Sequence, residues 1–274
     1  MTWIIAVLVL VITGFILDRE IYFYEGTHLG PRLQAWLYDR WSKKYDEGKR
    51  ASQLQDDEML VQPLLHALRD VPEPFILDFA AGTGRLSFAL LNRAEFRGRL
   101  IALDLSLGML EKAARKLSPH SASVEFLRHI SMPLPFPDAA FDAVCALEVL
   151  ELFSSMDEPL AELTRVLRPG GILLTSRGTE ESGRRARVRS AKALTGLLEQ
   201  FGLEQVQIAK WWKLFDRVIA VKRGASQPVT RKSLSAVLKC GSCQSIHWAV
   251  ESGKWMCQSC GKTVLITKER ILIN

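Results

Sequence analysis

The sequence predicts an α/β protein with a doubly wound, mostly parallel sheet. Short apolar segments alternate with amphipathic ones between about residues 75 and 222, and this alternation is typical of strands linked by helices. A glycine-containing turn follows the first of these strands. An uncharged apolar segment at the N terminus and two cysteine pairs near the C terminus indicate additional elements on either side of the fold.

The first predicted strand, Phe75–Phe79, leads through Gly82 and Gly84 into a helix that begins at about Arg85. Glycine lets a chain turn sharply and approach a ligand closely. A helix that starts directly after such a turn directs its free N–H groups toward that ligand. The segment therefore predicts a binding site at this turn.

An acidic residue, Asp104, ends the next predicted strand, Arg99–Leu105, twenty residues after Gly84. An acid at this position can accept hydrogen bonds from ribose hydroxyls. A dinucleotide site would use the same arrangement, but Ala80 and Ser87 stand where its motif has the first and third glycines. Dinucleotide binding is therefore the less favoured interpretation.

The remaining elements follow from the hydrophobic pattern. Apolar stretches of strand length are separated by longer segments with one apolar face, which predict helices. The predicted order after the second strand is helix Leu107–Leu117, strand Val124–Ile130, strand Phe141–Leu147, helix Asp157–Leu167, strand Ile172–Arg177 and a final hairpin of Gly202–Ala209 with Arg217–Lys222.

Four segments resemble motifs of the class I S-adenosylmethionine-dependent methyltransferases. Residues 77–84 (LDFAAGTG) are similar to the first motif and residues 102–110 (ALDLSLGML) to the second. Residues 134–144 resemble the loop and fourth strand, and residues 167–171 (LRPGG) the turn before the fifth. The small-molecule and quinone-type methyltransferases are the nearest subgroup. The resemblance implies S-adenosylmethionine as cofactor and a Rossmann-like seven-stranded sheet whose last strand is antiparallel.

The resemblance also implies roles for individual residues. Asp104 would hold the ribose, Asp78 would organise the glycine turn and reach the cofactor's amino group, and Leu105 would pack on the adenine. Gly82 and Gly84 would make room for the cofactor. The predicted cofactor-binding residues are Asp78, Ala80, Gly82, Gly84, Asp104, Leu105, Ser131 and Met132.

Two positions depart from the family pattern. Ile130 stands where an Asp commonly contacts the adenine amino group, so Ser131 or a backbone group is expected to replace it. Leu152 stands where a His is frequent.

Methyl transfer depends mainly on alignment, and a base is needed only if the acceptor must lose a proton. The catalytic residues therefore stay unassigned. Glu148 and Glu151 are the only candidates for a base, and a solvated helix face is the alternative for Glu151.

The N-terminal segment Trp3–Leu17 carries no charged side chain. A membrane-spanning helix needs about 20 apolar residues, with a lower limit near 17. We predict a membrane anchor over residues 1–25, in preference to a cleaved signal peptide or a buried core helix. Several basic residues follow the anchor, which by the positive-inside rule predicts a single-pass membrane protein with a cytoplasmic catalytic domain.

Residues 26–56 are predicted to form an amphipathic lid and linker. Pro31–Asp46 has an apolar face with basic residues beside it. It resembles the N-terminal lid of related methyltransferases, and simple packing against the domain is an equal alternative. The segment after it, residues 47–57, is polar and predicts a linker to the methyltransferase domain of residues 57–223.

Two further segments of that domain leave alternatives open. The basic segment Ser182–Lys192 could bind an anionic acceptor or form a solvated helix face. Trp211 and Trp212 could line an apolar acceptor pocket or belong to the core.

Two Cys-x-x-Cys pairs, separated by thirteen residues, follow a polar linker of residues 224–236. Four thiolates at this spacing are typical of a tetrahedral structural zinc site. The module they would organise, residues 237–274, is too small to build much core, so metal would supply its stability. Disulfides are disfavoured in a cytoplasmic domain. The predicted ligands are Cys240, Cys243, Cys257 and Cys260, with His247 a neighbour and Cys145 a buried apolar residue.

The sequence thus predicts a membrane-anchored methyltransferase with a zinc ribbon, acting on a small lipophilic acceptor such as a quinone or lipid precursor. The ribbon is basic and carries Trp248 and Trp255, which could stack on bases; an RNA methyltransferase is therefore an alternative. A non-catalytic membrane scaffold with a degenerate cofactor pocket is a second alternative. The net charge of +6 is too small to choose between anionic partners.

Overall fold

One continuous sheet of eleven strands runs through the described part of the chain. The structure is a computed structural model that describes residues 2–179, 181, 188–251 and 253–274. The strands are β1 (Phe75–Phe79), β2 (Arg99–Asp104), β3 (Val124–Arg128), β4 (Phe141–Ala146), β5 (Leu167–Gly178), β6 (Leu203–Trp212), β7 (Phe215–Lys222), β8 (Trp248–Glu251), β9 (Lys254–Cys257), β10 (Thr263–Ile266) and β11 (Ile271–Ile273).

Helices precede the sheet and connect its strands. Short 3₁₀ or π turns extend several of them, for example Asp57–Val61 before the fourth helix. The α-helices are α1 (Thr2–Asp18), α2 (Pro31–Trp41), α3 (Tyr45–Gln53), α4 (Gln62–Ala67), α5 (Arg85–Leu91), α6 (Leu107–Lys116), α7 (Asp157–Val166), α8 (Ala191–Gln200) and α9 (Leu234–Val237).

The first seven strands have the order β6-β7-β5-β4-β1-β2-β3. β7 is antiparallel to both of its neighbours, whereas β1 to β5 are mutually parallel. This arrangement confirms the predicted seven-stranded doubly wound sheet with an antiparallel last strand. Successive residues of β1 point to opposite faces. Leu77 lies in a core with α7 and α8, and Ile76 in a core with α4, α5 and α6.

The four C-terminal strands continue this sheet in the order β11-β10-β9-β8. β11 pairs in parallel with β3, with Ile271 opposite Phe126 and Ile273 opposite Arg128. The sequence predicted the cysteine-containing module as a small domain of its own. In the structure its strands extend the main sheet beyond β3.

The apolar helix α1 comprises 17 residues, which corresponds to a length of about 26 Å, whereas the hydrocarbon core of a bilayer is about 30 Å thick. No helix in the described ranges is long and apolar enough to cross a membrane. The predicted membrane-spanning helix is therefore not confirmed.

The polar segment after the amphipathic helix was predicted as a linker, and this prediction is wrong. A 3₁₀ turn at Ser42–Lys44 ends α2, and α3 then continues to Gln53. Asp46 of α3 hydrogen bonds with Thr83 and forms an ion pair with Lys116 at 2.9 Å. These contacts with the glycine turn and α6 stabilise a helix that has little apolar surface of its own.

A buried ion pair joins β4 to the start of β5. Nε of Arg168 lies 2.6 Å from Oδ1 of Asp142, and the Asp142 side chain is fully buried. The other carboxylate oxygen of Asp142 accepts a hydrogen bond from the backbone N–H of Phe75 at 2.9 Å. The guanidinium group also donates to the carbonyl oxygen of Ser226. This pair therefore connects the central strands with the segment that leads to the C-terminal module.

We expect Arg168→Met to lower the free energy of unfolding by about 3–5 kcal/mol, because it leaves the buried Asp142 carboxylate without its cation. Urea denaturation followed by circular dichroism measures this change. Arg69→Met is the matched control, since Arg69 pairs with Asp70 at the surface and exposed pairs contribute little. Equal losses in both variants would contradict the assigned role of the buried pair.

Candidate cofactor and acceptor site

A cavity of ≈ 410 Å³ lies at the carboxyl ends of the central strands. Ligands of doubly wound sheets bind at this edge, where the strand order reverses. Residues that follow β1, β2, β3 and β4 supply most of its wall, and the N-terminal segment supplies the rest. The cavity thus lies where the sequence placed its predicted site.

The glycine turn after β1 forms one wall. Gly82 has φ +55° and lines the cavity. Gly84 has φ +73°, and a Cβ atom there would lie 3.0 Å from Leu117 and 3.1 Å from Ala113. Gly84 is therefore needed for close packing of the turn against α6 and its C-terminal end, rather than for access to the cavity.

Asp104, at the end of β2, connects two loops of the site. Its Oδ2 accepts a hydrogen bond from the N–H of Gly82 at 2.7 Å, and its Oδ1 accepts one from the N–H of Ser106 at 2.8 Å. Burial raises the pKa of Asp104 to about 6, although these backbone donors oppose the rise. The carboxyl group lines the cavity and retains free lone pairs for a ligand hydroxyl.

Asp78 lies behind the glycine turn. Its Oδ2 accepts a hydrogen bond from Oγ of Ser87 at 2.6 Å, and burial raises its pKa to about 6. Six of the eight predicted cofactor-binding residues line the cavity; Asp78 and Gly84 do not. The cofactor roles of all eight stay predictions. The six are Ala80, Gly82, Asp104, Leu105, Ser131 and Met132.

The N-terminal segment supplies another part of the cavity wall. Tyr38 of α2 and Tyr45 of α3 are among the lining residues. Oδ1 of Asp39 accepts hydrogen bonds from Oγ of Ser106 at 2.6 Å and from the N–H of Gly108 at 2.8 Å. Burial raises the pKa of both tyrosines. The two tyrosines agree with the lid interpretation, and the Asp39 contacts show that the segment also packs against the domain.

Glu148, at the end of β4, lines the cavity but is held by two cations. Its Oε1 lies 3.0 Å from Nη1 of Arg85, and its Oε2 pairs with Nζ of Lys49 from the lid. Its backbone N–H donates to Oγ of Ser176 at 2.7 Å. Because cationic groups occupy both carboxylate oxygens, this geometry favours a clamp between lid and domain over a general base.

Glu151, Trp211 and Trp212 do not line the cavity. Glu151 is 2 % exposed and accepts a hydrogen bond from the N–H of Gly178, so the solvated alternative is wrong. Burial raises its pKa. Trp211 is buried beneath the guanidinium of Arg85 and donates to Asp56, which makes it a core residue.

Sequence reasoning missed several lining residues. His129 follows β3 and lines the cavity, and burial lowers its pKa. Its position at the end of a parallel strand was the available signal. Val149, Leu152 and Phe153 form an apolar part of the wall. The predicted basic segment Ser182–Lys192 lies largely outside the described residues.

The four predicted metal ligands come together in the C-terminal module. Their sulfur atoms all lie within 4.8 Å of one another. Cys240 and Cys260 are 3.6 Å apart, and Cys243 and Cys257 are 3.5 Å apart. Tetrahedral zinc with Zn–S bonds of about 2.3 Å requires S···S distances of about 3.8 Å. The donor set and its spacing therefore fit a structural zinc ion.

The central region of the chain resembles a known family of domains. Residues 76–171 match a family model described as a methyltransferase domain. This region is a methyltransferase domain. The match agrees with the resemblance of the motifs to S-adenosylmethionine-dependent methyltransferases.

Several curated proteins resemble the chain over this methyltransferase domain. The chain is 41% identical over 108 residues to a demethylmenaquinone methyltransferase of Thermus thermophilus, covering 39% of this chain and 48% of that protein. It is 36% identical over 101 residues to a ubiquinone/menaquinone biosynthesis C-methyltransferase of Hahella chejuensis, covering 36% and 41%. The chain spans about half the length of the curated relatives it matches.

Solved structures share the fold of the methyltransferase domain. A SAM-dependent methyltransferase from Aquifex aeolicus superposes with a TM-score of 0.54 at 21% identity, covering 67% of this chain and 97% of that chain. A putative S-adenosyl-L-methionine-dependent methyltransferase from Methanococcus maripaludis gives 0.55 at 16% identity, covering 69% and 94%. At these identities the likeness establishes the fold.

We expect S-adenosylmethionine to bind more weakly below pH 6, because a ribose hydroxyl donates best to an ionised Asp104, whose pKa is raised to about 6. The dissociation constant should rise by up to about tenfold per pH unit below that value. Calorimetric titration between pH 7.5 and 5 measures it. Acid unfolding through this group is not expected, since a folded-state pKa above the unfolded value makes protonation favour the fold.

Asp104→Asn is the control for this pH dependence. It keeps the side-chain shape but cannot ionise, so its affinity should be lower at pH 7.5 and nearly constant down to pH 5. An equally steep pH dependence in this variant would assign the effect to another group, such as Asp78.

Proposed function

We propose that the protein is an S-adenosylmethionine-dependent methyltransferase that acts on a small lipophilic acceptor of quinone type. One observation carries the proposal. Within a methyltransferase domain, a single cavity joins a polar end around Asp104 to an apolar end around Phe153. A charged cofactor and a lipophilic acceptor would need these two environments side by side.

The polar end is suited to the cofactor. Asp104 would accept hydrogen bonds from the ribose hydroxyls, and the turn at Gly82 would leave room for the methionine part. Leu105 would pack against the adenine. Ser131 lines the cavity and would offer a polar contact beside Ile130, where the usual acid is missing.

The apolar end is suited to a flat, lipophilic acceptor. The rings of Phe79 and Phe153 are stacked with centroids 6.4 Å apart, and Val149, Leu152 and Met132 complete this part of the wall. The curated relatives are named for quinone methylation rather than for nucleic-acid methylation. These features favour a quinone-like ring over the RNA alternative.

The chain's own contribution to catalysis would be alignment and exclusion of water. S-adenosylmethionine supplies an electrophilic methyl group, so the protein mainly has to place the acceptor in line with it. Tyr38 and Tyr45 line the cavity and would exclude water from it. The ion pairs of Lys49 with Glu148 and of Asp56 with Arg85 hold the lid segment against the domain.

We expect micromolar binding of S-adenosylmethionine in calorimetry and its loss in Asp104→Ala. Methyl transfer is then measured with radiolabelled cofactor and a 1,4-naphthoquinol that carries a short isoprenoid chain. Phe153→Ser should raise the KM for this acceptor and leave cofactor affinity unchanged, because it adds a polar group to the apolar end of the cavity.

Three outcomes of this experiment would contradict the proposal. Absence of cofactor binding by the folded protein would favour the non-catalytic scaffold. Transfer to RNA without transfer to the quinol would favour the nucleic-acid alternative. Equal KM values for the wild type and Phe153→Ser would place the acceptor elsewhere.

We also propose that α1 associates with a lipid bilayer and that the methyltransferase domain lies on the cytoplasmic side. Large apolar side chains are exposed along this helix, for example Trp3 at 83 % and Leu10 at 71 %. Basic residues, including Arg40 and Lys43 of the lid region, follow it, and such residues are attracted to anionic headgroups. This arrangement would bring the opening of the cavity close to lipophilic acceptors.

Flotation with anionic phospholipid vesicles tests the association. The full chain should float with the vesicles, and a variant without residues 2–18 should stay in the dense fraction. Reduced flotation of the full chain at high salt is expected if the basic residues contribute. Equal flotation of both proteins would contradict a role for α1.

We propose that Cys240, Cys243, Cys257 and Cys260 hold a structural zinc ion. The four-thiolate set and the S···S distances support this assignment. Tight backbone turns shape each pair, as in the hydrogen bond from the N–H of Gly261 to the carbonyl of Cys257 at 2.8 Å. His247 lies beside this set and is not needed for a complete tetrahedral site.

A further inference from the structure

The strand that covers the edge of the methyltransferase sheet belongs to the cysteine-containing module. β11 pairs with the last three residues of β3, from Phe126 to Arg128. On its other side, β11 pairs with β10, which pairs with β9, the strand that ends at Cys257. A continuous hydrogen-bonded ladder therefore connects a metal-ligand position with β3.

Apolar packing strengthens this connection on both faces of the sheet. Trp255 and Leu272 belong to the same core as Leu127 of β3, and Ile271 belongs to the opposite core with Phe126. The indole N–H of Trp248 donates to the carbonyl oxygen of Leu238 at 2.8 Å. The module therefore shares its core with the domain.

The same strand β3 carries one wall of the cavity. Residues 129–132 follow it directly and line the cavity. At the start of this wall, the N–H of Asn274 donates to the carbonyl of Arg128 at 3.2 Å, and Nε of Arg128 donates to the carbonyl of Leu105 at 3.2 Å. After the wall, the N–H of Lys239 donates to the carbonyl of Pro135 at 2.8 Å. Hydrogen bonds from the module thus hold the wall on both sides.

We infer that the metal-bound module fixes the position of wall residues 129–132 and thereby controls cofactor affinity from outside the cavity. None of the four cysteines lines the cavity. The module's strands have only three or four residues each, so we expect the metal to supply a substantial part of the stability of the cysteine-containing turns. Loss of the module would expose β3 as a free sheet edge. The predicted effect on cofactor affinity rests on the proposed function, whereas the predicted effect on the wall does not.

Hydrogen exchange followed by mass spectrometry tests the inference on the full-length, zinc-loaded protein. Zinc is removed with a chelator under reducing conditions at neutral pH. We expect the amides of β3 and of residues 129–132 to exchange at least about tenfold faster, while those of β5 and β7 keep their rates. The dissociation constant for S-adenosylmethionine should rise in parallel, and zinc addition should reverse both changes.

Matched variants separate metal loss from other effects. The double variant Cys257→Ser and Cys260→Ser should reproduce the chelated state without rescue by zinc. Ser242→Ala, an exposed residue of the Cys240–Cys243 turn, should behave as the wild type. If the double variant fails to fold, chelation of the wild type still decides the question.

Two results would overturn the inference. Faster exchange confined to residues 240–263, with unchanged β3 and unchanged cofactor affinity, would show an independent module. Equal acceleration in β5 and β7 would make the metal a general stabiliser rather than a support for this wall. If zinc-loaded protein binds no cofactor but β3 still responds to chelation, the proposed function fails and the structural coupling stands.

Discussion

The carboxyl group of Asp104 is the contact on which the arrangement of the site depends. Its two oxygens accept hydrogen bonds from the glycine turn after β1 and from Ser106, the N-cap of α6. Ser106 in turn donates to Asp39 of the lid. One buried acid therefore sets the relative position of two strands, a helix and the lid segment. Its burial also raises its pKa toward the physiological range.

A network of paired charges lies beside the cavity and reaches it at Glu148. Arg85 lies between Asp56, Glu148 and the ring of Trp211, and Lys49 completes the charge balance at Glu148. Because these charges are paired with one another, they do not require a charged ligand for compensation. The wall around Phe153 can therefore accept a lipophilic molecule next to a cavity end that is rich in polar groups.

Local patterns in the sequence were sufficient for the features that depend on local physics. The strand–turn–helix around Gly82, the acid at Asp104 and the four-cysteine cluster each have a short-range signature. Features that depend on contacts between distant residues had no such signature in the sequence. The length of α3 depends on Asp46 meeting Lys116, the buried position of Glu151 depends on Gly178, and the pairing of β11 with β3 joins segments far apart in the chain. Asp78 was predicted to organise the glycine turn and to reach the cofactor; its hydrogen bond from Ser87 agrees with the first role, and the second stays a prediction.

The pairing of β3 with β11 has a consequence for biosynthesis. β3 leaves the ribosome long before its neighbour, Ile271–Ile273, has been translated. At about 5–20 residues per second, the delay is roughly 7–30 s. During this interval an apolar strand presents open N–H and C=O groups to other nascent chains. This edge therefore needs protection, for example by chaperone binding, until translation delivers its partner.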